Sequence, residues 1–293
     1  MQLRIATIQA VLLVFICSTL AVAEPTVKQI GSGLYAYISD NDSSANSTFL
    51  VGQSGILVVD TGLNTSEATK LLHAIRQVSS LPVKYIVNTH YHPDHQGGNA
   101  VVGPASVVIS TDFTRARTLE AMKAPAMQDF HFHPADLTFQ QQVTLHLDPY
   151  SVEVYFPGKA HTSGDALVYF PQQRAIAMGD LFLNRSSPAM DYGSVESWIA
   201  ALDHVLELPL ENVVPGHFEL GTKSDLKRFR DYLNDLYQQV RALKQNNKTL
   251  EQVRHDIHHD IHMERYSDFR QYPKYEATFS DNAAVIYQQL QGR

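Results

Sequence analysis

Cysteine is almost missing from this chain. The single copy in 293 residues is Cys17, and it lies in an N-terminal stretch expected to be removed. The rest of the chain therefore excludes disulfides, thiolate metal ligands and a cysteine nucleophile. Long apolar runs are also missing. Residues 1–23 carry Arg4, an apolar run from Ala10 to Ile16 and the small-x-small triplet Ala21-Val22-Ala23. That pattern predicts a secretory signal peptide cut before Glu24 and an exported, periplasmic or secreted protein. The run falls short of the roughly 20 residues that span a bilayer, so no stable membrane anchor is expected after cleavage. Arg4 is the only charged residue in that stretch. Without it the chain has one basic residue fewer than the 23 of the full sequence against the same 30 acids, a net charge of −8 instead of −7. An acidic chain with no basic cluster is a poor nucleic-acid binder, and a small-molecule substrate is the expected partner. Low-complexity linkers and solenoid repeats are absent too. Residues 24–293 are expected to form one working domain.

What the chain does have is histidine in a dense pattern. The segment Thr89-His90-Tyr91-His92-Pro93-Asp94-His95-Gln96-Gly97-Gly98-Asn99 places three imidazoles and a carboxylate within six residues. A backbone this short cannot aim all four groups at one ion. Imidazole and carboxylate donors suit zinc or a similar divalent metal with about four ligands. A close-spaced metal pair would use them all, and such pairs activate water at neutral pH. Further ligands must come from elsewhere, and His161, Asp180 and His217 stand in matching contexts. Each lies just past a predicted strand and near a glycine, where rigid scaffolds present functional groups.

The coarse pattern places these groups. Strands are predicted at Gly33–Ile38, Thr48–Val51, Ile56–Val59, Val83–Asn88 and Val107–Ser110 in the first half. In the second they fall at Val143–Leu147, Val152–Phe156, Ala166–Phe170, Ala175–Met178 and Asn212–Val214. Helical spacing predicts a helix from a cap at Asn64 or Ser66 to about Val78, and others over Thr111–Lys123, Ser194–Leu206, Ser224–Gln245 and Asn282–Leu290. Thr249-Leu250-Glu251-Gln252 fits a capping box for one more. The expected fold class is α/β: two mixed sheets packed together, with helices outside.

The set His90-x-His92-x-Asp94-His95, His161, Asp180 and His217, with Val58-Val59-Asp60-Thr61-Gly62 upstream, resembles the motif series of the metallo-β-lactamase-fold superfamily. The resemblance spans nearly all of residues 24–293 and implies a four-layer αββα sandwich with a metal site at one edge. It further implies that His90, His92 and His161 hold one metal, that Asp94, His95 and His217 hold a second, and that Asp180 bridges them. Two Zn2+ ions are implied, with iron or manganese as substitutes, about 3.5–4 Å apart as in comparable pairs. Asp94 would also be catalytic, orienting the hydroxide and passing its proton to the leaving group. Asp60 is expected to brace a ligand or loop, although an Asx-turn reads equally well from the residues. Thr162, Ser163 and Asp165 are expected to support the His161 loop, and Asn184, Arg185 and Tyr192 to line the substrate cleft. Tyr91 and Gln96 are expected at the cleft mouth or in the core.

Departures from subfamily patterns narrow the resemblance. Asp180 stands where the cysteine-ligated β-lactamase branch has its thiolate, and Leu183 where that branch has a lysine. The expected activity is hydrolysis of an ester, thioester, lactone or amide by metal-bound hydroxide, with β-lactams as a side reaction. One alternative is a mononuclear iron enzyme like the persulfide dioxygenases, using His90, His92, Asp180 and His161 or His217. Another is a non-catalytic periplasmic zinc-binding protein, suggested by His255, His258, His259 and His262. On a helix three of these share a face, yet a solvated polar face explains them as well. His131 and His133 are weaker candidates for a segment overhanging the cleft.

Overall fold

The structure is a computed structural model. It describes residues 25–291 except 125, 126, 128, 129, 131, 191, 192, 259 and 260. The expected signal peptide, His131, Tyr192 and His259 therefore lie outside the described residues, as do the side chains of His258 and His262.

Among the described residues twelve strands form two sheets. In the first half β1 (Thr26–Gly31), β2 (Leu34–Ile38), β3 (Ser47–Val51) and β4 (Ile56–Val59) precede helix α1 (Thr65–Val78) and β5 (Val83–Val87). Two single turns, α2 (Pro93–Gln96) and α3 (Asn99–Val102), then lead to β6 (Val107–Thr111), α4 (Asp112–Ala121) and β7 (Leu137–Phe139). The second half contains β8 (Gln142–Leu147), β9 (Tyr150–Tyr155), β10 (Leu167–Phe170), β11 (Ala175–Ala177), α5 (Val195–Glu207) and β12 (Asn212–Val214). Helices α6 (Lys223–Gln245), α7 (Leu250–His258) and α8 (Phe279–Gln289) close the chain.

Both sheets are mixed. The first runs β1 to β7 in chain order, antiparallel as far as β4 and parallel from β4 to β7. The second has the order β12-β11-β10-β9-β8, with only β11 and β12 parallel. Period-2 alternation sends each strand's side chains to two different cores. Phe49, Val58, Ile86 and Val108 pack with α1 residues Ala68, Leu71 and Ile75 on the outer face of the first sheet. Their neighbours Leu50, Leu57, Val59, Val87 and Ile109 meet Val168, Phe170, Ala177 and Val214 between the sheets. Leu167, Ile176 and Val213 turn the other way, onto Trp198, Phe229, Leu233 and Ile286 of the helical layer. The result is the four-layer αββα sandwich. Strands buried on both faces must be apolar at every position, which is why β4 and β10 read as continuous hydrophobic runs.

Helix starts follow side-chain caps. Asn64 accepts from the backbone N–H of Ser66 and Glu67, so Asn64, not Ser66, caps α1. The α6 cap is Thr222, two residues before the expected start, because Thr222 and Asp225 form a reciprocal capping box. Thr249 and Gln252 make the expected box at α7.

Candidate metal centre

The parallel pairs β4–β5 and β11–β12 end at the same edge of the sandwich, and the chain turns there to present its polar groups. Asp60 follows β4, the histidine segment follows β5, Asp180 follows β11 and His217 follows β12. His161 comes from the loop between β9 and β10. Pro93 occupies the first turn of α2, where its missing N–H costs nothing, and that turn carries Asp94 and His95.

The seven groups gather into two sets. His90, His92, His161 and Asp180 offer ligand atoms that all lie within 4.8 Å of one another, and so do Asp94, His95 and His217. In the first set, His92 Nδ1 lies 3.0 Å from His90 Nε2 and 3.3 Å from His161 Nε2. In the second, Asp94 Oδ2 is 3.1 Å from His217 Nε2 and 3.5 Å from His95 Nε2. Asp180 stands between them. Its Oδ2 is 3.6 Å from His161 Nε2, while its Oδ1 is 3.2 Å from His95 Nε2 and 3.6 Å from His217 Nε2.

The surroundings fix which ring nitrogen faces inward. Asp60 Oδ2 accepts from His95 Nδ1 at 2.7 Å, leaving Nε2 as the lone-pair atom towards the centre. His161 Nδ1 donates to the Ala189 carbonyl at 3.2 Å with the same effect. Thr89 Oγ1 donates to Asp60 Oδ2 at 2.7 Å and faces His90 Nδ1 at 3.1 Å. His95 Nε2 and Asp180 Oδ1 are buried with no hydrogen-bond partner. Buried polar atoms without partners are costly. Two such atoms facing each other in a set of imidazoles and carboxylates fit a divalent cation. The donor set contains no sulfur, which suits zinc, iron or manganese.

Electrostatics divide the histidines. Burial drives His90 well below its ordinary value, helped by His95 and His92. Burial likewise pushes His161 down to about 4. Burial acts the same way at His95, but Asp180, Asp60 and Asp94 together outweigh it and raise His95 well above 6.5. His217 is raised against burial by Asp180 and Asp94. Asp94 and Asp180, despite burial, are held below the usual carboxylate range by His95 and His217.

Asp60 does not form a local turn. Its carboxylate reaches Thr89 N at 2.8 Å as well as the two side chains above, so it braces the whole segment after β5. Asp165 holds the His161 loop by accepting from Thr162 N at 2.8 Å and Thr162 Oγ1 at 2.6 Å, and burial raises it to about 7. Ser163, half-buried, belongs to the same loop. Gln96 is buried against Thr118, and Tyr91 is half-buried beneath Arg117. Gly216 packs so closely on Asp180 that a Cβ there would come 2.0 Å from Asp180 Oδ1.

A cleft of about 560 Å³ opens over the two sets. Asn184 and Arg185 are not among the residues lining it. The Asn184 amide donates to the carbonyls of Glu219 (3.1 Å) and Leu220 (3.3 Å), and Arg185 is exposed. His133 also stands off the cleft, its carbonyl accepting from Asn99 Nδ2 at 3.0 Å. The lining comes instead from Leu63, Phe130, Leu183, Phe218, Tyr272 and Tyr275 beside the polar floor. Sequence reasoning missed three buried asparagines. Asn88 and Asn99 pair amide to amide under the histidine segment, with Thr61 Oγ1 donating to Asn99 Oδ1 at 2.8 Å. Asn46 reaches across from the first sheet to the carbonyls of Pro215 (3.1 Å) and Phe218 (2.8 Å). Asn99 closes the histidine segment itself and was the one visible signal.

Known proteins bear on this arrangement. The sequence model described as Metallo-beta-lactamase superfamily matches residues 40–217. The chain is 26% identical over 205 residues to a metallo-beta-lactamase type 2 of Bacillus cereus, covering 67% of this chain and 76% of that one. It is 27% identical over 170 residues to the 2,4-dinitroanisole O-demethylase subunit alpha of a Nocardioides species, of which it spans 50%. Among solved structures, a metallo-beta-lactamase from Pontibacter korlensis aligns with a TM-score of 0.62 at 26% identity, over 72% of this chain and 99% of that one. A sec-alkylsulfatase of a Pseudomonas species aligns with a TM-score of 0.72 over 92% of this chain and 50% of its own, at 18% identity, a likeness of fold alone. The fold, the two-set centre and the family match agree, and the chain belongs to the metallo-beta-lactamase superfamily, whose members are metal-dependent hydrolases.

Proposed function

We propose that the protein is a binuclear zinc hydrolase that opens an ester, thioester, lactone or amide in a small molecule. The observation that carries this reading is the placement of Asp180, whose two carboxylate oxygens address two separate ligand sets. His90, His92 and His161 would hold one ion, and Asp94, His95 and His217 the other. Bound metal would supply Lewis acidity towards the substrate carbonyl and a water activated near neutral pH. The chain's own residues do the rest. Asp60 and the Ala189 carbonyl hold the imidazoles in the receptive tautomer. Asp94 lines the cleft, is half-buried and keeps its carboxylate ionised, so it is placed to orient the attacking water and carry its proton to the leaving atom.

The test is metal content by elemental analysis together with a panel of esters, lactones, thioesters and β-lactams on the same sample. Two zinc ions per chain with hydrolysis of a panel member is expected. One iron, no zinc and no hydrolysis would overturn the reading. The proposal extends to compartment: residues 1–23 direct export, and N-terminal sequencing of the exported protein should begin at Glu24.

A further inference from the structure

The wall of the cleft bears on which small molecules it takes. Its ionisable lining consists of Asp42, Asp94, Asp180, the imidazoles of His92, His161 and His217, and the hydroxyls of Tyr272 and Tyr275. No lysine or arginine lines it among the described residues. Arg270, behind the lining residue Phe218, is already committed. Its guanidinium makes a two-pronged pair with Glu219, one prong at 3.0 Å, and lies 4.6 Å from the centroid of the Phe218 ring. Phe218 stacks in turn on Tyr272, ring centroids 5.7 Å apart and planes 2° from parallel. Phe218 also holds φ at +70°, a costly backbone for a bulky side chain, and Asn46 pins its carbonyl. Arginine, phenylalanine and tyrosine thus form a rigid layered platform whose aromatic rings line the cleft, with Tyr275 at the lip 53% exposed. At the opposite chemical extreme, Asp42 is exposed at the rim.

Resting on the hydrolase reading above, we infer that the cleft selects uncharged substrates carrying a flat apolar group, which stacks on the Phe218–Tyr272–Tyr275 wall. A carboxylate remote from the bond to be cut would find no counter-charge there and would face Asp42. Aromatic rings prefer offset or edge-on contact with such a wall, and each good contact adds about 0.5–1.5 kcal/mol beyond area burial, or about two- to twelvefold in binding.

The experiment uses the metal-loaded enzyme and three esters: 4-nitrophenyl acetate, 4-nitrophenyl phenylacetate and the latter with a carboxylate on its phenyl ring. The neutral phenylacetate should exceed its carboxylated twin in kcat/KM by about tenfold or more. Asp42→Lys should narrow that gap by improving the carboxylated ester. Tyr272→Ala should cost the phenylacetate several-fold more than the acetate, with metal content unchanged. Equal turnover of the paired esters, or preference for the carboxylated one, overturns the inference while leaving the hydrolase reading intact. If metal-loaded enzyme cleaves none of the three, the ester reading fails instead. Calorimetric binding of phenylacetamide and 4-carboxyphenylacetamide then still decides: tighter binding of the neutral amide upholds the charge preference, and tighter binding of the carboxylated amide overturns it.

Discussion

Asp60 sits at φ +55°, a conformation an aspartate adopts at some cost, and the hydrogen bonds to Thr89 and His95 hold it there. Its carboxylate oxygens accept three donors at once, which an amide cannot do. Asp60→Asn should therefore release the His95 ring and weaken metal binding about 10–100-fold, measured by competition with a chromophoric chelator. Unchanged affinity would mean that the backbone alone orients His95. Protons compete with metal at this ring and at His217. Both are raised above 6.5 by the carboxylates around them, so the stability they add to the metal-free protein is present below 6.5 and lost as pH rises through their folded values. Metal needs the neutral ring, so binding should release protons and tighten as pH rises across neutrality. His161, pushed down to about 4 chiefly by burial, is already neutral there and contributes nothing to that release. Titration calorimetry at pH 7 in buffers of different ionisation enthalpy should show the released protons. An enthalpy independent of buffer would sink the idea. The seven side chains that gather into two sets could be picked out of the sequence because metal chemistry restricts candidate ligands to a few types, here beside strand ends. Asn46 could not, since an asparagine that ties two loops together looks like any other polar residue until the loops meet.

At the level of elements, legibility followed burial. Strands β4, β10 and β11 were visible because burial on both faces leaves apolar runs with no charged interruption. The edge strand β1 faces solvent along most of its length, and the other edge, β7, is only three residues long. Neither presents a pattern that single-chain periodicity can detect. The turns α2 and α3 are too short for helical spacing to show. Helix ends were set by caps more than by hydrophobic positions, as at Thr222. Thr222→Ala should cost about 1 kcal/mol in urea denaturation, with the urea dependence of stability unchanged. Trp198 is a harsher test of the helical layer. It is buried, its indole N–H donates to Leu181 O at 3.0 Å, and its ring meets His161 edge-on. Trp198→Ala should cost about 3–5 kcal/mol. It should also reduce metal affinity through His161, whereas Thr222→Ala should leave metal affinity alone.

Across the whole molecule, the metal centre sits at the rim of the apolar cores and touches the helical-layer core through the Trp198 ring beside His161. The apolar clusters outside the first sheet, between the sheets and under the helical layer are built without any of the seven donor residues. The polar ends of β4, β5, β11 and β12 meet only at the edge of the sandwich. Folding should therefore not require metal, unlike small domains whose ion supplies most of their stability. Stripping the metal should preserve the helix and sheet signals in far-ultraviolet circular dichroism. Thermal stability should nevertheless fall, because an ion that binds only the folded chain stabilises it by about 4 kcal/mol at a free concentration a thousand times its Kd. For a chain of this size that corresponds to a fall in Tm of roughly 8–16 °C, recovered when zinc is restored. Asp180→Ala, which removes the carboxylate shared by the two sets, should show much of that fall even with zinc present while keeping the same dichroism. Loss of the dichroic signal on metal removal would instead mean that the centre, and not the stacked sheets, holds the two halves together.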